Sequence, residues 1–359
     1  MELPIFLDQL RRYPRFAIYG AQVVAYGVYV ALRSLYGLAP DCFIVTRAEG
    51  NPAEIDGVAV ITLDNCEFER ENVLILVAVT ELLQDEICAV LEKRGYRGFL
   101  RIGAREEHLL MSAYFRSIGM FPPLDSSTSG AACDLTVYEV KTHRDKPLVN
   151  PPVLQPWECP IQAGADVTDI RVAALQDNTG LNISAKNGMY FEMTATYWVW
   201  KNTDHDWKGI CHYRRHLIIS GAQISALADG GIDVVLPLPY ICYPNTLAQF
   251  RRFVGEAVKD SMLSSLRALH PDRYDKYISI LNGPYQYTYN LLAARREVFD
   301  DYCAWVFEVF EHMERSADAA PEIATTRALS YAAEALTSLY FLFNSDKLNI
   351  RHTGKAIFT

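Results

Sequence analysis

The chain of 359 residues lacks most of the features that would settle its class at a glance. It has no C-x-x-C pair. Its eight cysteines are scattered at 42, 66, 88, 133, 159, 211, 242 and 303, a pattern that argues for free thiols in a reducing cytoplasm and against a disulfide or zinc framework. No apolar run approaches the ~18 residues that cross a bilayer. The N-terminus, Met1-Glu-Leu-Pro-Ile-Phe, places an acid before any apolar core and offers no small-residue cleavage site, so a soluble cytoplasmic protein is expected. A basic surplus is also missing. Lys and Arg total 34 against 43 Asp and Glu, a net charge of −9, which argues against general nucleic-acid binding while leaving room for a local basic pocket. There is no G-x-S-x-G, no H-E-x-x-H, no P-loop and no internal repeat, which disfavours the commonest hydrolase, zincin and NTPase readings.

What the chain does have is apolar mass and rings. Hydrophobic residues make up 50%, with only 20 Gly and 17 Pro, which excludes disorder and collagen-like repeats. There are 21 Tyr, 16 Phe and 5 Trp, and rings with polar tips suit cores, interfaces and sugar faces alike. The length is that of a little over two domains of roughly 150 residues.

The first 121 residues alternate short apolar runs with helical patterns. Strands are expected at Arg15–Tyr19, Cys42–Val45, Val73–Val79 and Phe99–Ile102, with helices at Val23–Tyr36, Glu81–Arg94 and from about Glu106 to Ile118. Such alternation implies a parallel sheet with crossover helices. The turn after the first strand, Gly20-Ala-Gln-Val-Val-Ala25, stands where a dinucleotide fingerprint would, but Gln22 fills the position where the backbone must approach a pyrophosphate. No acid directly follows the second strand. A degenerate Rossmann-like domain over 1–130 is the reading. A Pro-, Ser- and Thr-rich break, Phe121–Gly130, separates it from a second domain over 131–359.

The second domain opens with a strand at Asp134–Val140 that ends in Lys141-Thr142-His143-Arg144, and an aromatic helix is expected over Tyr190–Asn202, mostly core. The strand Trp207–Cys211 runs straight into His212-Tyr213-Arg214-Arg215-His216, and Ile232–Leu236 forms a further strand. After residue 246 the chain is expected to be mostly helical, over Thr246–Leu269, Arg273–Leu281, Arg296–Arg315 and Thr325–Phe343. Paired arginines where a buried strand emerges suit bidentate capture of a diphosphate, and equally a salt-bridged strand end. Asp204-His205-Asp206 matches a metal-binding D-x-D, but it precedes its strand and reads as a solvated turn. Asp177, Asn178, Asn182, Lys186 and Asn187 crowd one loop, where caps and a sugar site are both consistent with the residue types.

Residues from about 134 to 355 resemble the bacterial capsule and exopolysaccharide biosynthesis family classed as domain of unknown function 4422. The matching stretches include Thr142-His-Arg144, Pro160-Ile-Gln-Ala-Gly164, Asp177-Asn-Thr-Gly-Leu-Asn-Ile-Ser184, Tyr197-Trp-Val-Trp-Lys-Asn202, Gly209-Ile-Cys-His-Tyr-Arg-Arg215 and Tyr289-Asn290. The His-Tyr-Arg-Arg run is the most diagnostic. Where relatives usually show Glu-Arg-Leu, this chain has Glu334-Ala-Leu336, so a basic neighbour of Glu334 is missing.

The resemblance implies a GT-A-like α/β glycosyltransferase domain with a helical C-terminal part. It would move a sugar from a nucleotide-diphosphate donor, UDP-linked, to a capsular, exopolysaccharide or lipid-linked glycan. Thr142, His143 and Gln162 would border the nucleotide. Arg214 and Arg215, beside His212 and Tyr213, would offset the diphosphate charge. Asp177, Asn182, Lys186 and Asn187 would line the donor sugar and ribose, with Asn290 also on the donor side. Glu334, Glu192 and Asp177 are unranked candidates for the catalytic carboxylate. No residue is assigned to a metal and no cofactor is required; Mn²⁺ or Mg²⁺ is the less favoured route. Expected partners are the sugar nucleotide and a glycan acceptor, with peripheral association at the inner membrane face and no nucleic acid. Tyr213, Tyr240 and Tyr287 are the sugar-facing aromatics. The competing reading is a non-catalytic nucleotide or sugar sensor that uses the Rossmann-like domain.

Overall fold

The computed structural model describes residues 3–315, 323 and 327–359, and it divides the chain into two compact units. The first runs to Pro122 and takes in Tyr240–Tyr243; the second covers Pro123–Pro239 and Pro244–Phe358.

In the first unit α1 (Leu3–Arg11) precedes β1 (Arg15–Tyr19), α2 (Val23–Tyr36), β2 (Phe43–Val45), β3 (Glu54–Ile55), β4 (Val58–Thr62), β5 (Val73–Val77), α3 (Glu81–Lys93), β6 (Phe99–Arg101) and α4 (Ala104–Ser117). The sheet order is β3-β4-β2-β1-β5-β6, parallel throughout except for the short β3 against β4. The near-continuous apolar runs Arg15-Phe-Ala-Ile-Tyr19 and Val73-Leu-Ile-Leu-Val77 are what a strand covered on both faces requires, and β5 is buried along its whole length. Helix α2 buries Ala25, Val28, Tyr29 and Leu32, one stripe at helical spacing, and ends on Gly37. The sequence pattern misses β3 and β4, which lie between the second and third expected strands. At the fingerprint turn, Gly20 has φ of 124°, and a Cβ there would stand 2.6 Å from the Ala78 carbonyl oxygen. The Gln22 side chain donates to Asn51 Oδ1 at 3.1 Å.

The second unit is built on a mixed sheet. Its strands are β7 (Leu135–Lys141), β8 (Glu158–Gln162), β9 (Leu175–Gln176), β10 (Trp207–His212), β11 (Arg215–Leu217), β12 (Val234–Pro237), β15 (Leu292–Arg295), β16 (Ile350–Thr353) and β17 (Lys355–Ile357); the short β14 (Tyr285–Gln286) lies outside the sheet, and β13 (Tyr240–Ile241) belongs to the first unit. The order is β16-β12-β15-β10-β7-β8-β9, with β11 and β17 continuing from β10. Strands β10, β7, β8 and β9 run parallel, while β15 is antiparallel to both β10 and β12. The chain after residue 246 is mostly helical as expected, and the short strands β15, β16 and β17 are what the sequence pattern does not show. Leu292-Ala-Ala-Arg295 is short and small-residued, and it becomes a strand because it lies between β10 and β12.

Helices α5 (Asn187–Tyr190), α6 (Met193–Asn202), α7 (Gly221–Ala228), α8 (Thr246–Leu269), α9 (Tyr274–Leu281), α10 (Arg296–Arg315) and α11 (Ala328–Phe343) complete the unit. Residues 325–326 of the expected Thr325–Phe343 helix lie outside the described residues. Helix α10 buries Phe299, Tyr302, Cys303, Val306, Phe310 and Met313, successive turns of one face. It is tied to β10 by Lys208, whose buried ammonium donates to Asp300 at 2.8 Å. The expected single helix over 190–202 is two. Phe191 breaks it with φ 50° and ψ −126°, a conformation that costs about 1–3 kcal/mol for a side-chain-bearing residue. The fold is α/β in both units, a Rossmann-like parallel sheet followed by a GT-A-like domain with a largely helical C-terminal part.

Candidate active site

Because β7 and β10 are parallel neighbours in register, with Val140 opposite His212, their carboxyl ends reach one edge of the sheet together. Ligand clefts of open α/β sheets form at such edges. The segment after β7 is shaped by Asp145, which accepts from the Thr142 N–H and the Thr142 hydroxyl, both at 2.8 Å. After β10 the chain turns back at once, His212 pairing with Arg215. Tyr213 and Arg214 therefore form the tip of a tight hairpin.

A cleft of about 380 Å³ lies at this edge, bordered by Thr142, Asp145, Tyr213 and His212, with Phe191 and Glu192 from the broken-helix segment. Arg144, Lys146, Arg214, Arg215 and Arg327 also line it, five cations against the two carboxylates of Asp145 and Glu192. A neighbouring pocket of about 340 Å³ shares Thr142, Asp145, Lys146 and Tyr213 and adds His143 and the apolar side chains of Leu148, Pro151, Leu154 and Val172. Among the described residues neither Arg214 nor Arg215 forms an ion pair. Arg214 lies over the Tyr213 ring at 4.6 Å and Arg215 over the Tyr289 ring at 4.2 Å. Of the two readings of this arginine pair, the salt-bridged strand end loses its support. Rings hold the guanidinium planes in place, with no carboxylate in ion-pair contact among the described residues.

Behind the arginines is a polar node. Glu192 accepts from the Ser330 hydroxyl at 2.5 Å and from Asn290 Nδ2 at 3.0 Å, with Arg327 at 3.4 Å. Burial opposes the Glu192 charge, but His212, Arg327 and the Ser330 hydroxyl outweigh it and hold the carboxyl below its ordinary range. Burial also lowers His212, to about 4, so at neutral pH His212 is uncharged and Arg327 and Ser330 do this work. Glu334 Oε1 accepts from the Tyr289 N–H at 2.9 Å. Burial pushes the Glu334 carboxyl up to about 7, with the Glu192 charge adding to it and the Tyr289 N–H, Arg215 and Arg327 pulling the other way. Tyr289 and Asn290, with φ of 66° and 51°, are held in the left-handed region by these contacts. Two carboxyl groups with separated protonation preferences thus stand behind a cationic cleft. That is how acid and base roles are divided at one site.

Comparison with known proteins adds a family. A family model described as domain of unknown function (DUF4422) matches residues 138–345. The chain belongs to that family. No curated protein matches it. Among solved structures, the apo form of the WbbM bifunctional glycosyltransferase is similar at 23% identity with a TM-score of 0.50, over 62% of this chain and 45% of that one. The chain therefore spans less than half of that protein's length, and the likeness is one of fold.

Within the DUF4422 region the expected site residues separate into two groups. His212, Tyr213, Arg214, Arg215 and Thr142 border the cleft, Glu192 lies on its wall, and His143 lines the adjoining pocket. Glu334 and Asn290 join Glu192 in the node behind it. The others serve the fold. Asp177 is fully buried and accepts from the N–H groups of Gly164 and Ala165 and from the Ser184 hydroxyl, so as a catalytic or sugar-lining candidate it is displaced. Gln162, also fully buried, donates to the Ile170 carbonyl and accepts from the Val172 N–H, closing the 162–172 loop in place of bordering a nucleotide. Asn187 borders the cleft, yet its amide is spent on the Phe191 carbonyl and the Thr194 hydroxyl. A Cβ on Gly164 would collide with Asn187, which is why the chain bearing φ 69° there is a glycine. Lys186 pairs with Glu314, and Asn182 caps its own turn through the Gly180 carbonyl and the Ser184 N–H.

Of the three sugar-facing tyrosines only Tyr213 borders the cleft. Tyr240 and Tyr287 are buried, and Tyr287 shares a hydrogen bond with His352 at 2.9 Å. The Asp204–Asp206 turn is engaged in structure, His205 with Asp134 and Asp206 with Arg296. The residues missed were Arg144, Asp145, Lys146, Phe191 and Arg327. Arg144 to Lys146 carried a signal, since they continue the segment after the first strand. Arg327 opens a stretch, Arg327-Ala-Leu-Ser-Tyr-Ala-Ala-Glu334, that resembles the family, but only the fold brings it to the cleft.

Proposed function

We propose that this DUF4422 protein is a glycosyltransferase that moves a sugar from a UDP-linked donor to a glycan acceptor of the capsular, exopolysaccharide or lipid-linked kind, at the cytoplasmic face of the membrane. The observation that carries the reading is the pair Arg214 and Arg215, which form no ion pair among the described residues and are presented at the carboxyl ends of parallel strands. The apolar pocket with His143 receives the base and ribose, and the diphosphate spans Lys146, Arg214 and Arg215. The sugar then lies toward Glu192 and Arg327.

In the transfer, the acceptor oxygen bonds to the anomeric carbon as the bond from that carbon to the diphosphate oxygen breaks. The electron pair leaves with the diphosphate, where fixed guanidinium charge stabilises it without reorganisation. The acceptor proton passes to a carboxylate. Glu334 suits that role, because a general base works best with a pKa near the working pH. Glu192, ionised and fully hydrogen-bonded, fixes Asn290 and Arg327 instead. Arginine charge replaces a metal in this route, so transfer survives EDTA; loss of activity on chelation with rescue by Mn²⁺ would contradict it. The direct test is release of UDP from a panel of UDP-sugars in the presence of glycan acceptors. Turnover by the wild type and its loss in Arg215→Ala are expected, and hydrolysis or transfer at equal rates in both would remove the assignment.

A further inference from the structure

A second cluster of reactive side chains lies on the other face of the same strands. Cys211 and His212 are consecutive in β10, so they project to opposite faces, and it is His212 that faces the cleft. Cys211 is fully buried in a core group with Val137 and Leu217. Its partner in register on β7 is Glu139, β8 supplies Glu158, and β11 supplies His216. One ligand atom each from Glu158, Cys211 and His216 can be chosen so that all lie within 4.8 Å of one another. His216 Nδ1 is 2.7 Å from Glu158 Oε1. Its Nε2 is buried, has no hydrogen-bond partner, and stands 3.7 Å from Glu139 Oε1. Glu139 itself is held from the far side by Lys141 at 3.0 Å.

We propose that Glu158, Cys211 and His216 bind a zinc ion on this face of the sheet, with Glu139 orienting His216. A sulfur, a nitrogen and an oxygen donor are the set that zinc accepts and that Mg²⁺ and Mn²⁺ do not favour. A carboxylate on the second imidazole nitrogen is the usual companion of a metal-bound histidine, and Nε2 facing Glu139 supplies it. Bound there, the metal would tie β8, β10 and β11 together directly beneath the hairpin that presents Arg214 and Arg215.

The test uses the intact protein and does not depend on the transferase reading. Protein purified without chelators should carry about one equivalent of zinc by mass spectrometric metal analysis. The cobalt-substituted form should show the thiolate-to-cobalt charge-transfer band and visible bands of a tetrahedral site. Cys211→Ser should abolish the charge-transfer band, and His216→Gln and Glu158→Gln should each lower zinc retention at least about tenfold, with folding checked by circular dichroism. Should Cys211→Ser fail to fold, Glu158→Gln and the wild-type cobalt spectrum decide. Wild-type protein that is folded and, after incubation with excess Zn²⁺ and desalting, retains under about a tenth of an equivalent would overturn the site. So would a cobalt spectrum without a thiolate band.

Discussion

Two polar segments of the second unit differ sharply in what their side chains do once folded. The loop from Asp177 to Asn187, rich in amides, and the turns around Thr142–Lys146 and His212–Arg215, rich in charge, are both dense in polar side chains. In the first, almost every group is answered within the fold: Asp177 by Gly164, Ala165 and Ser184, Asn187 by Phe191 and Thr194, Lys186 by Glu314. In the second, Arg214 and Arg215 lie on tyrosine rings at a cleft edge and form no ion pair among the described residues. Polar density alone does not mark a candidate site. Charge held rigidly at the end of parallel strands, without an ion-pair partner among the described residues, is the better sign of one.

The comparison can be broken most severely at the arginines. Arg214→Ala and Arg215→Ala should each reduce kcat about 10²- to 10³-fold, the scale of losing one preorganised donor to transition-state charge, while the melting temperature stays within a degree or two. Equal losses from Asn182→Ala would erase the distinction between the two segments.

Glu334→Gln should cost about 10²-fold or more in rate and remove the acid limb of the pH profile. The sign follows from the raised pKa. Below about 7 Glu334 is protonated and accepts no proton, so wild-type kcat/KM should fall as pH drops through that value, and the variant should be flat there. Stability runs the other way. A carboxyl whose folded pKa is raised loses stability as pH climbs from its ordinary range to about 7, so thermal melts should show Glu334→Gln gaining on the wild type between pH 5 and pH 8.

Asp177→Ala should act on stability instead of chemistry. It leaves two buried N–H groups and a hydroxyl without their acceptor, a loss of about 2–4 kcal/mol by denaturant titration, with kcat of the surviving folded protein little changed. A normal melt with a collapsed rate would return Asp177 to the site. Asn182→Ala, at the weak end, should fall within about 0.5 kcal/mol and leave rate unaffected.

The contrast also explains how far the sequence could be read. Strand–helix alternation in the first unit and the strands β7 and β10 were legible because apolar periods of two and 3.6 are local properties. Strand β15 was not, since Leu292-Ala-Ala-Arg295 has no strand-like pattern of its own and is extended only because β10 and β12 flank it. The break at Phe191 was hidden because the aromatic spacing continues across it. At the site, the His212–Arg215 run was visible in one stretch, whereas the meeting of Glu192, Asn290, Ser330 and Glu334 depends on α11 packing against Glu192 and the Tyr289–Asn290 turn. The loop around Asp177 misled for a related reason: amide-rich loops that bind sugars and amide-rich loops that bind themselves use the same residues.

In the proposed function the cleft receives a nucleotide diphosphate through Arg214 and Arg215. Calorimetric titration of the intact protein with UDP tests this most directly. One site per chain is predicted for the wild type, weakened at least about tenfold in Arg215→Ala and unchanged in Asn182→Ala. Absence of UDP binding, or equal affinity in wild type and Arg215→Ala, would contradict it.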